Sequence, residues 1–246
     1  MNILYLECAM GAAGDMLMGA LYELYPEKEK FLEKMNSLLP GVAVEAERAV
    51  RQGIAGTHIR VIIHGQEEGH GHHCGQDHHH HEHRSLHDIQ HIIGHFDLPE
   101  PVRQRSREVY ALIAQAEARA HGLPVGEIHF HEVGALDAVI DVTGVCYLMH
   151  LLAPERVAAS PVNLGGGTVR CAHGVLPVPA PATAYLLEGV PSYGGEIQSE
   201  LCTPTGAALV RAFAGDFGPQ PLGRIRGSGV GCGTKDFPRA NCLRAF

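Results

Sequence analysis

Ile3-Leu4-Tyr5-Leu6 runs into Cys8-Ala9-Met10-Gly11-Ala12-Ala13-Gly14-Asp15, and Met16, Leu17, Ala20, Leu21 and Leu24 then follow at helical spacing. A short apolar run ending in small residues reads as a buried strand, and the spacing behind it as an amphipathic helix. Working outward, Pro26 stops that helix, and Glu27 to Leu39 reads as another with Phe31, Leu32, Met35 and Leu38 on its apolar side. Residues 42 to 50 and 57 to 64 alternate loosely around Gly53 and are expected to be two strands. Further on, Ser85 is placed to cap a helix bearing Leu86, Ile89, Ile92 and Ile93. A longer helix should follow Pro99 and stop near Gly122-Leu123-Pro124, and residues 133 to 152 should hold a third. Past Pro154, helices are expected to begin at Pro179 and Pro204, and strands to fill Leu222 to Phe246 between glycines. The fold class expected is α/β or α+β, mixed sheets with flanking helices, interrupted by a His-rich mobile loop. The segments expected are 1–64, the loop 65–83 and a main part 84–246.

Composition narrows the function. Of 246 residues, 45% are apolar and 19% charged, the balance of a folded chain. No run of eighteen apolar residues exists, which argues against a membrane span. The opening MNILYLEC lacks a basic stretch before an apolar segment, so it does not read as a secretory signal. With 19 Lys and Arg against 27 Asp and Glu, the net charge of -8 disfavours nucleic acid or an anionic membrane as main partner. Seven cysteines without a CxxC pair fit a reducing cytoplasm. The outlying number is 18 histidines, which points to metal.

His70, His72, His73, His78, His79, His80, His81 and His83 crowd into a tract that also holds Cys74, Asp77 and Glu82. Neutral imidazole is a good ligand for nickel, copper, zinc and cobalt, and a flexible chain can wrap to suit several geometries. Such a tract captures borderline metals with little discrimination, or it is a solvated linker.

A second stretch is His129-Phe130-His131-Glu132-Val133-Gly134-Ala135-Leu136-Asp137-Ala138-Val139-Ile140-Asp141. On an extended strand His129 and His131 share one face. On a helix Asp137 and Asp141, four apart, share another. Two imidazoles and up to three carboxylates can therefore converge to hold a metal or supply a general base. The same residues are also the makings of a structural network of capped helix and satisfied histidines. The Gly11 to Asp15 turn, with Gly14, allows close backbone approach to a ligand, although it lacks the residues of a Walker loop. Thr203, with Thr205 two residues on, is placed as an N-cap before Pro204 and is a further anion candidate. Cys8, Cys74 and Cys202 lie beside these candidates.

Met10-Gly11-Ala12-Ala13-Gly14-Asp15-Met16, the histidine tract running into His83-Arg84-Ser85-Leu86, and His129 to Asp137 together resemble a known family. Pro177-Val178-Pro179-Ala180-Pro181-Ala182-Thr183 and Leu201-Cys202-Thr203-Pro204-Thr205-Gly206-Ala207-Ala208-Leu209 extend the likeness. The family is the nickel-insertion proteins of the nickel-pincer cofactor pathway (the LarC family), which serve lactate racemase. The resemblance implies insertion of nickel into pyridinium-3,5-bisthiocarboxylic acid mononucleotide, with CTP consumed alongside manganese or magnesium. It also implies that the chain corresponds to the family's N-terminal portion, with the CTP-binding C-terminal portion as a partner. Apo lactate racemase and further copies of the chain are the other partners expected.

On this reading the tract concentrates nickel and passes it to a site containing His129, His131 and nearby carboxylates. Glu132, Asp137 or one of those histidines accepts the ring proton lost when a nickel–carbon bond forms. The substrate phosphate rests on the Gly11 to Asp15 turn or on the helix start at Thr203. Two rivals are a nickel-storage protein or metallochaperone, and a metal-dependent phosphohydrolase built on Asp15, His129, His131 and Asp137.

Overall fold

A computed structural model describes residues 2–67, 84–130 and 132–246. The opening strand and helix form as expected: β1 is Ile3–Glu7 and α1 is Gly14–Leu24. Helix α2 (Lys28–Asn36), the long hairpin β2 (Val42–Arg51) and β3 (Ile54–Ile63), and a short β4 (Gln66–Glu67) follow. Then come β5 (Arg84–Ser85), α3 (Leu86–Gly94), α4 (Glu100–His121), β6 (His129–Phe130) and α5 (Leu136–Leu152). The chain continues with β7 (Arg156–Ala159), β8 (Val162–Gly165), β9 (Thr168–Cys171), β10 (Gly174–Pro177) and α6 (Pro181–Leu186). It closes with β11 (Ser192–Gly194), α7 (Pro204–Phe213), β12 (Asp216–Phe217), β13 (Gly229–Cys232) and β14 (Cys242–Ala245).

Local chemistry sets the helix ends. Ser85 Oγ accepts from the Asp88 N–H while the Asp88 carboxylate accepts from the Ser85 N–H, a reciprocal cap on α3. Gly122, with φ of 66°, ends α4 in the left-handed conformation that glycine adopts without strain. One start differs from expectation: α6 begins at Pro181 rather than Pro179. A residue before proline is pushed out of the helical region, and Ala180 is accordingly extended, with ψ of 151°.

The main sheet runs in the order β12-β7-β1-β14-β13-β3-β2, with β4 beside β3. It takes strands from both sides of the histidine tract. Pairing is parallel between β1 and β7, β7 and β12, and β3 and β13, and antiparallel elsewhere. The result is a mixed sheet with flanking helices, an α/β arrangement.

Helix α1 lies directly on the sheet with Met16, Leu17, Met18, Ala20 and Leu21 buried. Gly231 permits this contact, since a Cβ there would fall 1.7 Å from the Met16 carbonyl oxygen. Helix α5 is buried along most of its length, from Val139 to Met149, and is apolar on several faces as a central helix must be. Among the described residues no helix is long and apolar enough to cross a membrane.

A candidate acidic site where three helices begin

The two glycine-bearing motifs meet through their backbones. Ala12 and Cys202 form a parallel bridge, in which the Ala12 N–H donates to the Leu201 carbonyl at 3.1 Å and the Thr203 N–H to the Ala12 carbonyl at 3.0 Å. A Cβ on Gly11 would lie 1.9 Å from the Leu201 oxygen, and one on Gly206 would lie 2.0 Å from the Ala12 oxygen. The close approach that the glycines allow is therefore taken by the chain itself, and it sets the starts of α1 and α7 side by side. Thr203 caps α7 by accepting from the Gly206 N–H at 3.2 Å, and its hydroxyl meets that of Thr205 at 3.0 Å. Buried Asn163 braces the turn by donating to the Ala9 carbonyl at 2.9 Å, a role that no local pattern announced.

The start of α5 brings the acids to this junction. Asp137 accepts from the Ala138 N–H at 2.7 Å, and Asp15 from the Met16 N–H at 2.8 Å. Between them Asp141 has an enclosed Oδ1 with no hydrogen-bond partner. Burial, with the charges of Asp15 and Asp137 added, holds the Asp141 carboxyl well above the usual carboxylate range. Behind Asp15 stands buried His58, whose Nδ1 is 2.9 Å from the Cys232 carbonyl and 3.9 Å from Asp15 Oδ2. A carbonyl only accepts, so Nδ1 carries the proton and its positive edge also faces the Asp15 carboxylate. Tyr110, fully buried, donates to the Val133 carbonyl at 3.1 Å, and burial keeps its phenol protonated.

Asp15 opens on a small cavity of about 80 Å³ that it shares with Glu200, Thr203, Lys235 and Asn241. Glu200 also borders a larger cavity of about 300 Å³, lined by His121, His173, Cys171 and Pro204 among others. Carboxylates, a lysine and a capped helix start thus surround one opening, a setting for proton transfer beside a charged ligand.

Other expected site residues fall elsewhere. Phe130 is buried and His129 exposed, as alternation on β6 requires. The described neighbours of His129 are Ser85 across the strand pair and Asp88, whose carboxyl is held low first by the Ser85 hydroxyl and least by His129. Glu132 opens a short 3-10 turn, Glu132–Gly134. His131 and the tract of His70, His72, His73, His78, His79, His80, His81 and His83 lie outside the described residues. Among the described residues no three His, Cys, Asp or Glu side chains are grouped so as to hold a metal ion. Cys8 and Cys202 are buried beneath the turn, and burial pushes the Cys8 thiol up to about 12 and Cys202 higher still. They are therefore core thiols rather than thiolates at neutral pH.

The nickel insertion protein family matches residues 4–246. Among curated relatives, a Geobacillus kaustophilus protein is 42% identical over 246 residues, covering 99% of this chain and 59% of its own length. A Desulfitobacterium hafniense protein is 42% identical over 245 residues, covering 99% of this chain and 58% of its own. A Staphylococcus saprophyticus protein is 39% identical over 246 residues, covering all of this chain and 59% of its own. All three carry the name pyridinium-3,5-bisthiocarboxylic acid mononucleotide nickel insertion protein. The chain thus spans somewhat under two thirds of the length of these relatives. No solved structure matches it.

Proposed function

The chain belongs to the nickel insertion protein family, and we propose that it inserts nickel into pyridinium-3,5-bisthiocarboxylic acid mononucleotide. The observation that carries this reading is the family match along nearly the whole chain, joined to the shared name of relatives about two-fifths identical to it. Consumption of CTP with manganese or magnesium, and use of the product by lactate racemase, belong to the same proposal. We assign the CTP step to the portion of the relatives that this chain does not match.

Insertion forms two nickel–sulfur bonds and one nickel–carbon bond. The carbon bond replaces a ring C–H bond whose electron pair stays with the carbon, so one proton must be accepted and no electron is transferred. Asp137 and Asp141 are suited to receive that proton. Burial, with the charges of Asp15 and Asp137 added, raises the affinity of the Asp141 carboxyl for a proton. The Asp15 carboxylate and the Lys235 ammonium bordering the small cavity would orient a charged substrate.

The test is to incubate the precursor with this chain, nickel and CTP, with and without the Geobacillus portion beyond the matched region, and to follow mass and absorbance. Nickel-loaded product is expected with both parts present. Asp137→Asn should slow its formation by about 10²- to 10⁴-fold, the range for losing a general base. No product in any mixture, despite tight nickel binding by the chain, would leave a storage protein instead.

A further inference from the structure

The larger cavity has a feature that the sequence motifs do not include. His121, in the last turn of α4, and His173, in the turn between β9 and β10, meet at its mouth with ring centroids 4.7 Å apart and planes tilted by 57°. Both histidines are exposed. Two imidazoles at this separation can turn one nitrogen each to a single ion, since metal–nitrogen bonds of about 2.0–2.1 Å set the nitrogens roughly 3 Å apart. Glu117, one helical turn before His121, has Oε2 3.4 Å from His121 Nε2. A carboxylate placed there steadies one ring nitrogen and leaves the other to a metal, the usual outer support of a ligating histidine.

We propose that His121 and His173 form a two-imidazole site that receives nickel at the mouth of this cavity and releases it to the sulfurs of the precursor. The identity of the metal rests on the nickel-insertion reading. Imidazole suits nickel, and two protein ligands leave the remaining coordination positions to water. That openness separates a transfer site from a store: closed sites retain metal, whereas open positions admit the incoming ligand. As each substrate sulfur binds, a nickel–water or nickel–imidazole bond breaks, and nickel stays divalent throughout. Glu200 lines both this cavity and the smaller one at Asp15.

Three other exposed histidines are the surface residues to control for. His87, His91 and His95 follow one another along α3, with rings 6.5 and 4.3 Å apart. They border neither of the two cavities described, and His95 Nδ1 already meets the His91 carbonyl at 2.8 Å.

The experiment uses the full chain with the eight tract histidines replaced by asparagine, titrated with nickel sulfate by calorimetry and equilibrium dialysis. On that background, His121→Gln or His173→Gln should weaken one nickel site at least tenfold, and the double substitution should remove one nickel per chain. An unchanged nickel count in the double variant would overturn the proposal, as would loss of that site only on H91Q/H95Q. The precursor is absent from this measurement, so failure of the insertion assay would count against the functional reading and not against the site. Both residues lie at the surface, and circular dichroism verifies that the variants fold.

Discussion

The Asp141 carboxylate lies where a side chain on Gly14 would begin: a Cβ built on Gly14 falls 2.7 Å from both Cβ and Oδ2 of Asp141. The first residue of α1 and the second turn of α5 are therefore in direct contact, and the acidic site depends on that contact. Gly14→Ala should destabilise the fold by about 1–3 kcal/mol, the usual cost of overpacking, because Asp141 sits on a buried helix that cannot retreat freely. Gly126→Ala, where an added Cβ meets nothing within 4 Å, is the matched control and should change little. Urea denaturation of the two variants checks this, and equal midpoints would show that α5 can give way.

The α3 cap permits a simpler forecast. Ser85→Ala removes the hydroxyl that accepts from the Asp88 N–H and donates to the Asp88 carboxylate. The expected loss is about 0.5–2 kcal/mol, typical of an N-cap serine. Asp88→Ala, which breaks the same reciprocal cap from the other side, should not add its full effect in the double variant. Full additivity in a double-mutant cycle would mean that the two residues act separately.

These two predictions differ in how far the sequence alone supported them. The Ser85 cap, the Thr203 cap and the Gly122 stop could be read because each is a short-range bargain between a side chain or glycine and the backbone beside it. The β1–turn–α1 opening could be read for the same reason. The Gly14–Asp141 contact was beyond such reading, since it depends on which helix settles beside α1. Asp141 was legible as a partner of Asp137 from helical spacing, but not as the enclosed member of the three. His121 and His173 gave no signal, because one closes a helix, the other turns a hairpin, and only tertiary packing brings them together. The use of Gly11 by the chain's own backbone was likewise hidden, since a glycine turn reads the same whether a ligand or another strand approaches it.

Replacing the eight tract histidines with asparagine tests whether the tract supplies metal or performs chemistry. If it only concentrates nickel, the variant should need more free nickel for half-maximal insertion, by about tenfold or more, yet reach the same maximal rate when nickel is plentiful. The rate is followed against buffered free nickel with both protein parts present. A lowered maximum at saturating nickel would place tract histidines in the reaction itself.

Asp141 predicts a specific pH dependence of stability. Its carboxyl holds a proton more tightly in the folded protein than in the unfolded chain, because burial and the neighbouring Asp15 and Asp137 charges oppose ionisation. Between the unfolded value near 3.9 and the raised folded value, the native state binds more protons than the unfolded state. Stability from this group is therefore full below the unfolded value and lost as pH rises through the folded one. Asp141→Asn cannot ionise and escapes that loss. The wild-type chain should fall relative to the variant as pH climbs above about 4, with a slope of at most about 1.4 kcal/mol per pH unit from one proton. Comparing the two chains cancels the other carboxylates to first order, so urea midpoints measured across pH 4 to 8 isolate the group. Parallel curves would mean that Asp141 ionises as freely in the fold as outside it, and would remove the basis for its role as proton acceptor.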